Sequence, residues 1–156
     1  MNRWSRKFRR IGLAIGCVAI ISALGVTCPP PFGPRFVDIE LVNFTDFDVD
    51  PRIFIHPVSG VPFEELFRPE NELIVDPLLL PGEEAIFTFR CQDVGTIGSD
   101  FALMFITPIL AIESDNGPVV DEGIDFFCGD IVSFVFIDDG IEFYTSVEVN
   151  GVIIID

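Results

Sequence analysis

From Phe36 onward, apolar and polar residues alternate with a period of two. Over residues 36–42 (FVDIELV), Val37, Ile39 and Leu41 fall on one side and Asp38 and Glu40 on the other, which predicts a half-buried strand. Asn43-Phe44-Thr45-Asp46 then supplies turn-forming residues. Residues 49–56 (VDPRIFIH) predict a second strand, confined by Pro51 to an edge or a strand start. Helical spacing is confined to Phe63, Leu66 and Phe67 between Pro62 and Pro69, one or two turns with proline at a tolerated first position. A short strand is expected over residues 72–75. Residues 84–91 alternate again, with Ala85, Phe87, Phe89 and Cys91 sharing a face. Gly95, Gly98 and Ser99 predict a loop before a buried strand at residues 101–107. Pro108 interrupts that strand, and residues 109–113 continue it after a bend.

The last third repeats the pattern. Residues 130–137 align Val132, Phe134 and Phe136. After the Asp138-Asp139-Gly140 turn, residues 141–149 set Ile141, Phe143, Val147 and Val149 on one face, and Asn150-Gly151 is a two-residue hairpin signal before a final strand at 152–155. Short strands separated by turn signals, with almost no helical periodicity, predict an all-β domain over residues 36–156. The expected form is a single antiparallel β-sandwich of about seven to nine strands. Immunoglobulin-like connectivity is one option, without the tryptophan that marks that fold.

Residues 1–27 follow a different rule. A basic head (Arg3, Arg6, Lys7, Arg9, Arg10) precedes an uncharged run from Ile11 to Val26, the layout of a secretory signal peptide. The run has 16 residues, short of the roughly 20 that a spanning helix needs. Two ends fit it. Ala23 and Gly25 suit ordinary signal peptidase. Leu24-Gly25-Val26-Thr27-Cys28 resembles the lipobox of bacterial exported lipoproteins, with Thr27 and Gly25 departing from its usual residues. The resemblance covers this segment alone and implies lipidation of Cys28. Residues 28–35, rich in proline, would then be a stiff spacer.

Removing the head changes the charge. Residues 28–156 keep four arginines (Arg35, Arg52, Arg68, Arg90), no lysine and all 25 acids, a formal charge of −21. Such a field repels polyanions, so nucleic acid is excluded as a partner and membrane contact is expected through a lipid anchor only. With 49% hydrophobic residues the chain is no disordered acidic tail.

Export bears on the cysteines. Cys17 leaves with the signal, and lipidation occupies Cys28, which leaves Cys91 and Cys128 as a disulfide pair in an oxidising compartment. Two thiols and one histidine, His56, do not make a zinc site. His56 has no nucleophile motif beside it and reads as a strand-end histidine. Asp46, Asp48 and Asp50 have the D-x-D-x-D spacing that gathers oxygens around calcium, although Pro51 and Pro57 replace the glycine and glutamate of an EF-hand. Asp121, Glu122 and Asp125 form a second acidic group. Calcium is therefore the one candidate cofactor. Asn43-Phe44-Thr45 matches a glycosylation sequon, which in a bacterial chain carries no functional weight. Of the 17 phenylalanines all but Phe8 lie beyond the signal, mostly at alternating positions, so they read as core rather than as a sugar platform.

The sequence therefore predicts an exported, lipid-anchored, non-enzymatic structural or interaction domain of the bacterial cell envelope, with an envelope component or protein as partner. Its rivals are a calcium-dependent adhesion-type module and a hydrolase built on a carboxylate pair.

Overall fold

In the computed structural model, which describes residues 35–75 and 78–155, the alternating stretch after Arg35 becomes β1 (Phe36–Asn43), with Val37, Ile39 and Leu41 fully buried. The predicted signal (1–27), Cys28 and the spacer up to residue 34 lie outside the described residues. Eleven further strands follow: β2 (Asp48–Asp50), β3 (Ile53–His56), β4 (Glu72–Leu73), β5 (Glu84–Arg90), β6 (Thr96–Ser99), β7 (Leu103–Thr107), β8 (Leu110–Glu113), β9 (Val119–Asp121), β10 (Ile131–Asp138), β11 (Phe143–Val149) and β12 (Val152–Ile155). A single turn of helix, α1 (Phe63–Leu66), sits between β3 and β4.

The strands form three sheets: β12-β11-β10-β1-β5, β2-β7-β8 and β4-β3-β6-β9. The inner face of the five-stranded sheet contributes Ile39, Phe134, Phe136 and Val147 to one core, which Val49, Met104, Ile53 and Ile97 of the two smaller sheets complete. The fold is all-β and of the sandwich type, as the alternation implies. Phe134 and Phe136 have no exposed surface, and burying each side chain is worth about 2–3 kcal/mol.

Four details differ from the sequence reading. First, among the described residues the strands number twelve, and one pair of them is parallel: β1 runs alongside β10, with Ile39 opposite Val132 and Leu41 opposite Phe134. Periodicity decides which face a strand buries and is silent about its partner's direction. The first strand lies between β10 and β5 rather than beside the second, so the immunoglobulin order is absent here.

Second, residues 49–56 are two strands. Arg52 takes a positive φ of 45° after Pro51, and the chain leaves the β2 sheet for the β3 sheet. The break is held from the other side. Ser99 Oγ donates to the Pro51 carbonyl at 3.1 Å, and Arg52 pairs with Asp100 at 2.8 Å. Third, the loop expected around Gly98 is the fully buried strand β6. Gly98 has no side chain to alternate, and this lets α1 close over it: a Cβ there would stand 2.8 Å from Leu66 Cδ2. Fourth, Ile141 is 87% exposed. The Asp139 carboxylate accepts the backbone N–H groups of Ile141 and Glu142, which keeps those residues in the turn and starts β11 at Phe143.

Candidate functional site

Strand directions fix where the two half-buried cysteines meet. β5 is antiparallel to β1, with Arg90 opposite Phe36, and β10 is parallel to it, so β5 ends and β10 begins beside the start of β1. Cys91 follows β5 and Cys128 precedes β10. Their disulfide, with Cα atoms 5.5 Å apart, lies at the entry to the domain. The backbone ties the same point. Cys91 N–H donates to the Arg35 carbonyl and Gly129 N–H to the Phe36 carbonyl, both at 3.0 Å. At this end of the sheet Cys91 packs against the core with Phe87 and Phe89, the face it shares with them in the sequence. Beside them opens a cleft of about 650 Å³ lined by Arg35, Phe36, Arg90, Cys91, Gln92 and Cys128.

The predicted calcium groups are placed differently. Asp48 and Asp50 flank the buried Val49 on β2, and Asp46 is exposed in the preceding bend. Asp46 and Asp48 line one cleft of about 470 Å³ with Phe47, Leu78 and Phe105. Asp50 Oδ1 instead lies 3.4 Å from the Arg52 backbone nitrogen. In the second group, Asp121 Oδ1 accepts the Gly60 N–H at 2.8 Å and lies 2.5 Å from the Thr96 hydroxyl, while Asp125 Oδ2 accepts the Asp121 N–H at 2.8 Å. Glu122 is joined to its surroundings through its backbone, whose carbonyl accepts the Ser59 hydroxyl at 2.9 Å. These two aspartates hold loops to strand ends, and such bonds supply the carboxylates with partners. Among the described residues, no group of three or more histidine, cysteine or acidic side chains could hold a metal ion.

His56 ends β3. Its Nδ1 accepts the Val58 N–H at 3.1 Å, which leaves the proton on Nε2, 3.9 Å from Glu65 Oε1. This is the strand-end histidine read from the sequence. The sequon asparagine is structural: Asn43 has no exposed surface, and its amide nitrogen donates to the Phe47 and Leu79 carbonyls at 2.8 and 2.9 Å. Its Oδ1 accepts the Thr45 N–H and the Thr45 hydroxyl at 2.9 and 2.8 Å.

On the outer face of the five-stranded sheet, Glu40 of β1 and Glu84 of β5 stand diagonally across the ladder. A hydrogen bond to Glu40, the repulsion of its charge and slight burial raise the Glu84 pKa. Ser133 Oγ donates to the other side of this pair, to Glu40 Oε2. A third cleft of about 360 Å³ is lined by Asp115, Asn116, Asp139, Glu142 and Tyr144. There the backbone N–H groups of Glu142 and Ile141 hold the Asp139 carboxyl below its ordinary range, against a small opposing effect of burial.

No family model and no curated protein matches the chain. No helix among the described residues is long and apolar enough to cross a membrane.

Proposed function

We propose that this protein is an exported, lipid-anchored domain of the bacterial cell envelope with a structural or interaction role and no catalytic activity of its own. The observation that carries the reading is the Cys91–Cys128 disulfide at the point where the chain enters β1. A disulfide fits an oxidising, extracytoplasmic compartment, and this one braces the end of the fold that a tether from Cys28 would load. The pairing also accounts for cysteine parity, since it leaves Cys28 as the single thiol beyond the signal. The charge of residues 28–156 fits a surface-displayed domain kept soluble by its acids.

The test is localisation. Expressed in a bacterium with its own N-terminus, the wild-type chain is expected in the membrane fraction with an acylated N-terminal peptide at Cys28. Cys28→Ser is expected to release or mislocalise it. Recovery of the wild type as soluble protein beginning at residue 26 or 29 would overturn the anchor.

A calcium-dependent adhesion reading draws on one feature, the cleft that brings Asp46 and Asp48 together. It requires calcium to raise the melting temperature and EDTA to lower it, both effects disappearing in Asp48→Asn.

A further inference from the structure

The four arginines beyond the predicted signal are not placed alike. Arg52 is spent on Asp100. Arg68 is exposed beside a 3₁₀ turn. Arg35 and Arg90, 55 positions apart in the chain, line one cleft because the β1–β5 register sets Arg90 opposite Phe36. Neither forms an ion pair with any of the described acids. In a chain with 25 acids, two cations sharing a cleft with no carboxylate partner among the described residues are unusual. An anion entering the cleft would meet both charges at once.

We propose that this cleft binds a phosphate group, either free or on a lipid headgroup. A guanidinium presents its donors as a planar fork that matches two oxygens of an oxyanion. One such fork already satisfies a carboxylate. Two forks and the Gln92 amide N–H offer more donors than a carboxylate can accept, and a phosphate has oxygens enough for all three. The walls are preorganised. The disulfide joins the segments after β5 and before β10, and the Cys91 N–H bond to the Arg35 carbonyl fixes the first residue of the cleft. The net negative field of the domain repels extended polyanions but is screened within about 8–10 Å in physiological salt, so a single phosphate close to both arginines is governed by them. The inference rests on the fold and is independent of lipidation at Cys28.

The experiment compares the full chain with its Arg90→Gln, Arg90→Lys, Arg35→Gln and Arg68→Gln variants. These side chains are exposed, so the substitutions leave the core intact, and the basic N-terminal head is common to all five proteins. Inorganic phosphate at millimolar concentration, against sodium chloride of equal ionic strength, is expected to raise the wild-type melting temperature by about 2–4 °C. Arg90→Gln and Arg35→Gln are expected to abolish the rise, Arg90→Lys to retain part of it, and Arg68→Gln to leave it unchanged. Equal effects of phosphate and chloride, or equal loss in Arg68→Gln, would overturn the site. Co-sedimentation with phosphatidylglycerol and phosphatidylcholine vesicles separates the sources. Binding that falls in Arg90→Gln supports a lipid headgroup, whereas a phosphate-specific rise without such vesicle binding supports free phosphate.

Discussion

Glu84 faces Glu40 diagonally across the β1–β5 ladder, the two carboxyls close enough on the outer face of the five-stranded sheet to hydrogen-bond when one is protonated. The bond to Glu40 and the charge of Glu40 both favour the protonated form of Glu84, so its pKa is raised above the ordinary 4.5. Asp139 is shifted oppositely, lowered from 3.8 by the backbone N–H groups that it accepts. The signs then follow from linkage. The folded state binds the Glu84 proton more tightly than the unfolded chain, so that contribution is fully present below pH 4.5 and is lost as pH rises through the raised value. The Asp139 contribution is present above pH 3.8 and is lost as pH falls through the lowered value. Melting temperature is therefore expected to rise on acidification from neutral pH to about 4.5 and to fall below about 3.8. Glu84→Gln should flatten the first limb and Asp139→Asn the second. Both groups are fully exposed, so added salt should damp the first limb. A melting temperature that falls steadily from pH 7 to pH 4.5 would refute the Glu40–Glu84 assignment.

The Cys91–Cys128 bridge closes a sequence separation of 37 residues. On the chain-entropy account its removal costs about 4 kcal/mol. The paired Cys91→Ala, Cys128→Ala variant should accordingly melt well below the wild type in the oxidised state. Reduction should bring the wild type down to the variant's value. Peptide mapping of the unreduced chain should recover a linked Cys91–Cys128 fragment. Alkylation of both thiols without reductant would contradict the pairing.

Some of this was legible in the sequence because it depends on local pattern. The buried side of β1 is the alternation of Val37, Ile39 and Leu41, and the Asn150-Gly151 turn into β12 needs only two residues and their neighbours. The cysteine pairing followed from export and parity. What pattern could not carry is any feature set by strand partnership. Parallel pairing of β1 with β10, the Arg35–Arg90 cleft and the Glu40–Glu84 contact all depend on which strands lie side by side. Hydrophobic period fixes the buried face but not the neighbour. The sequon at Asn43 carries no weight in a bacterial chain, and the structural role of Asn43 was illegible for a related reason. Asn-x-Thr in a turn also spells a side chain that bonds its own backbone two residues on, and the burial that decides between the two is not local.

The Asn43 side chain makes four hydrogen bonds while fully buried, two donated and two accepted. Asn43→Ala would remove one donor from each of the Leu79 and Phe47 carbonyls, which keep the Val49 N–H and the Thr45 hydroxyl, and would leave the buried Thr45 N–H without its acceptor. The expected loss is about 2–4 kcal/mol, since unpaired buried groups bear their full desolvation cost. Asn43→Asp keeps the acceptor and loses both donors, so it should also be destabilised, and more so once ionised. Urea denaturation of the two variants beside the wild type measures this. A loss under about 0.5 kcal/mol in Asn43→Ala, the range of an ordinary surface substitution, would mean that the clamp contributes little.

Thr145 presents the reverse case. It lies on the inward face of β11 between Phe143 and Val147, with no exposed surface. Its backbone N–H and carbonyl are engaged by Asn116, at 2.7 and 2.8 Å, yet its Oγ1 has no hydrogen-bond partner. Thr145→Val keeps the β-branched shape and both backbone bonds, and replaces a desolvated hydroxyl with a methyl suited to its apolar neighbours. The substitution is expected to stabilise the domain by about 1 kcal/mol, the low end of the cost of an unsatisfied buried polar group. Thr145→Ser retains the hydroxyl and removes the methyl, so it should destabilise by about the same amount, close to the value of one buried methylene. Opposite signs for the two variants in urea denaturation are the signature of an unpaired hydroxyl. Destabilisation by valine would show instead that an internal water satisfies Oγ1, a water that valine would leave without its partner.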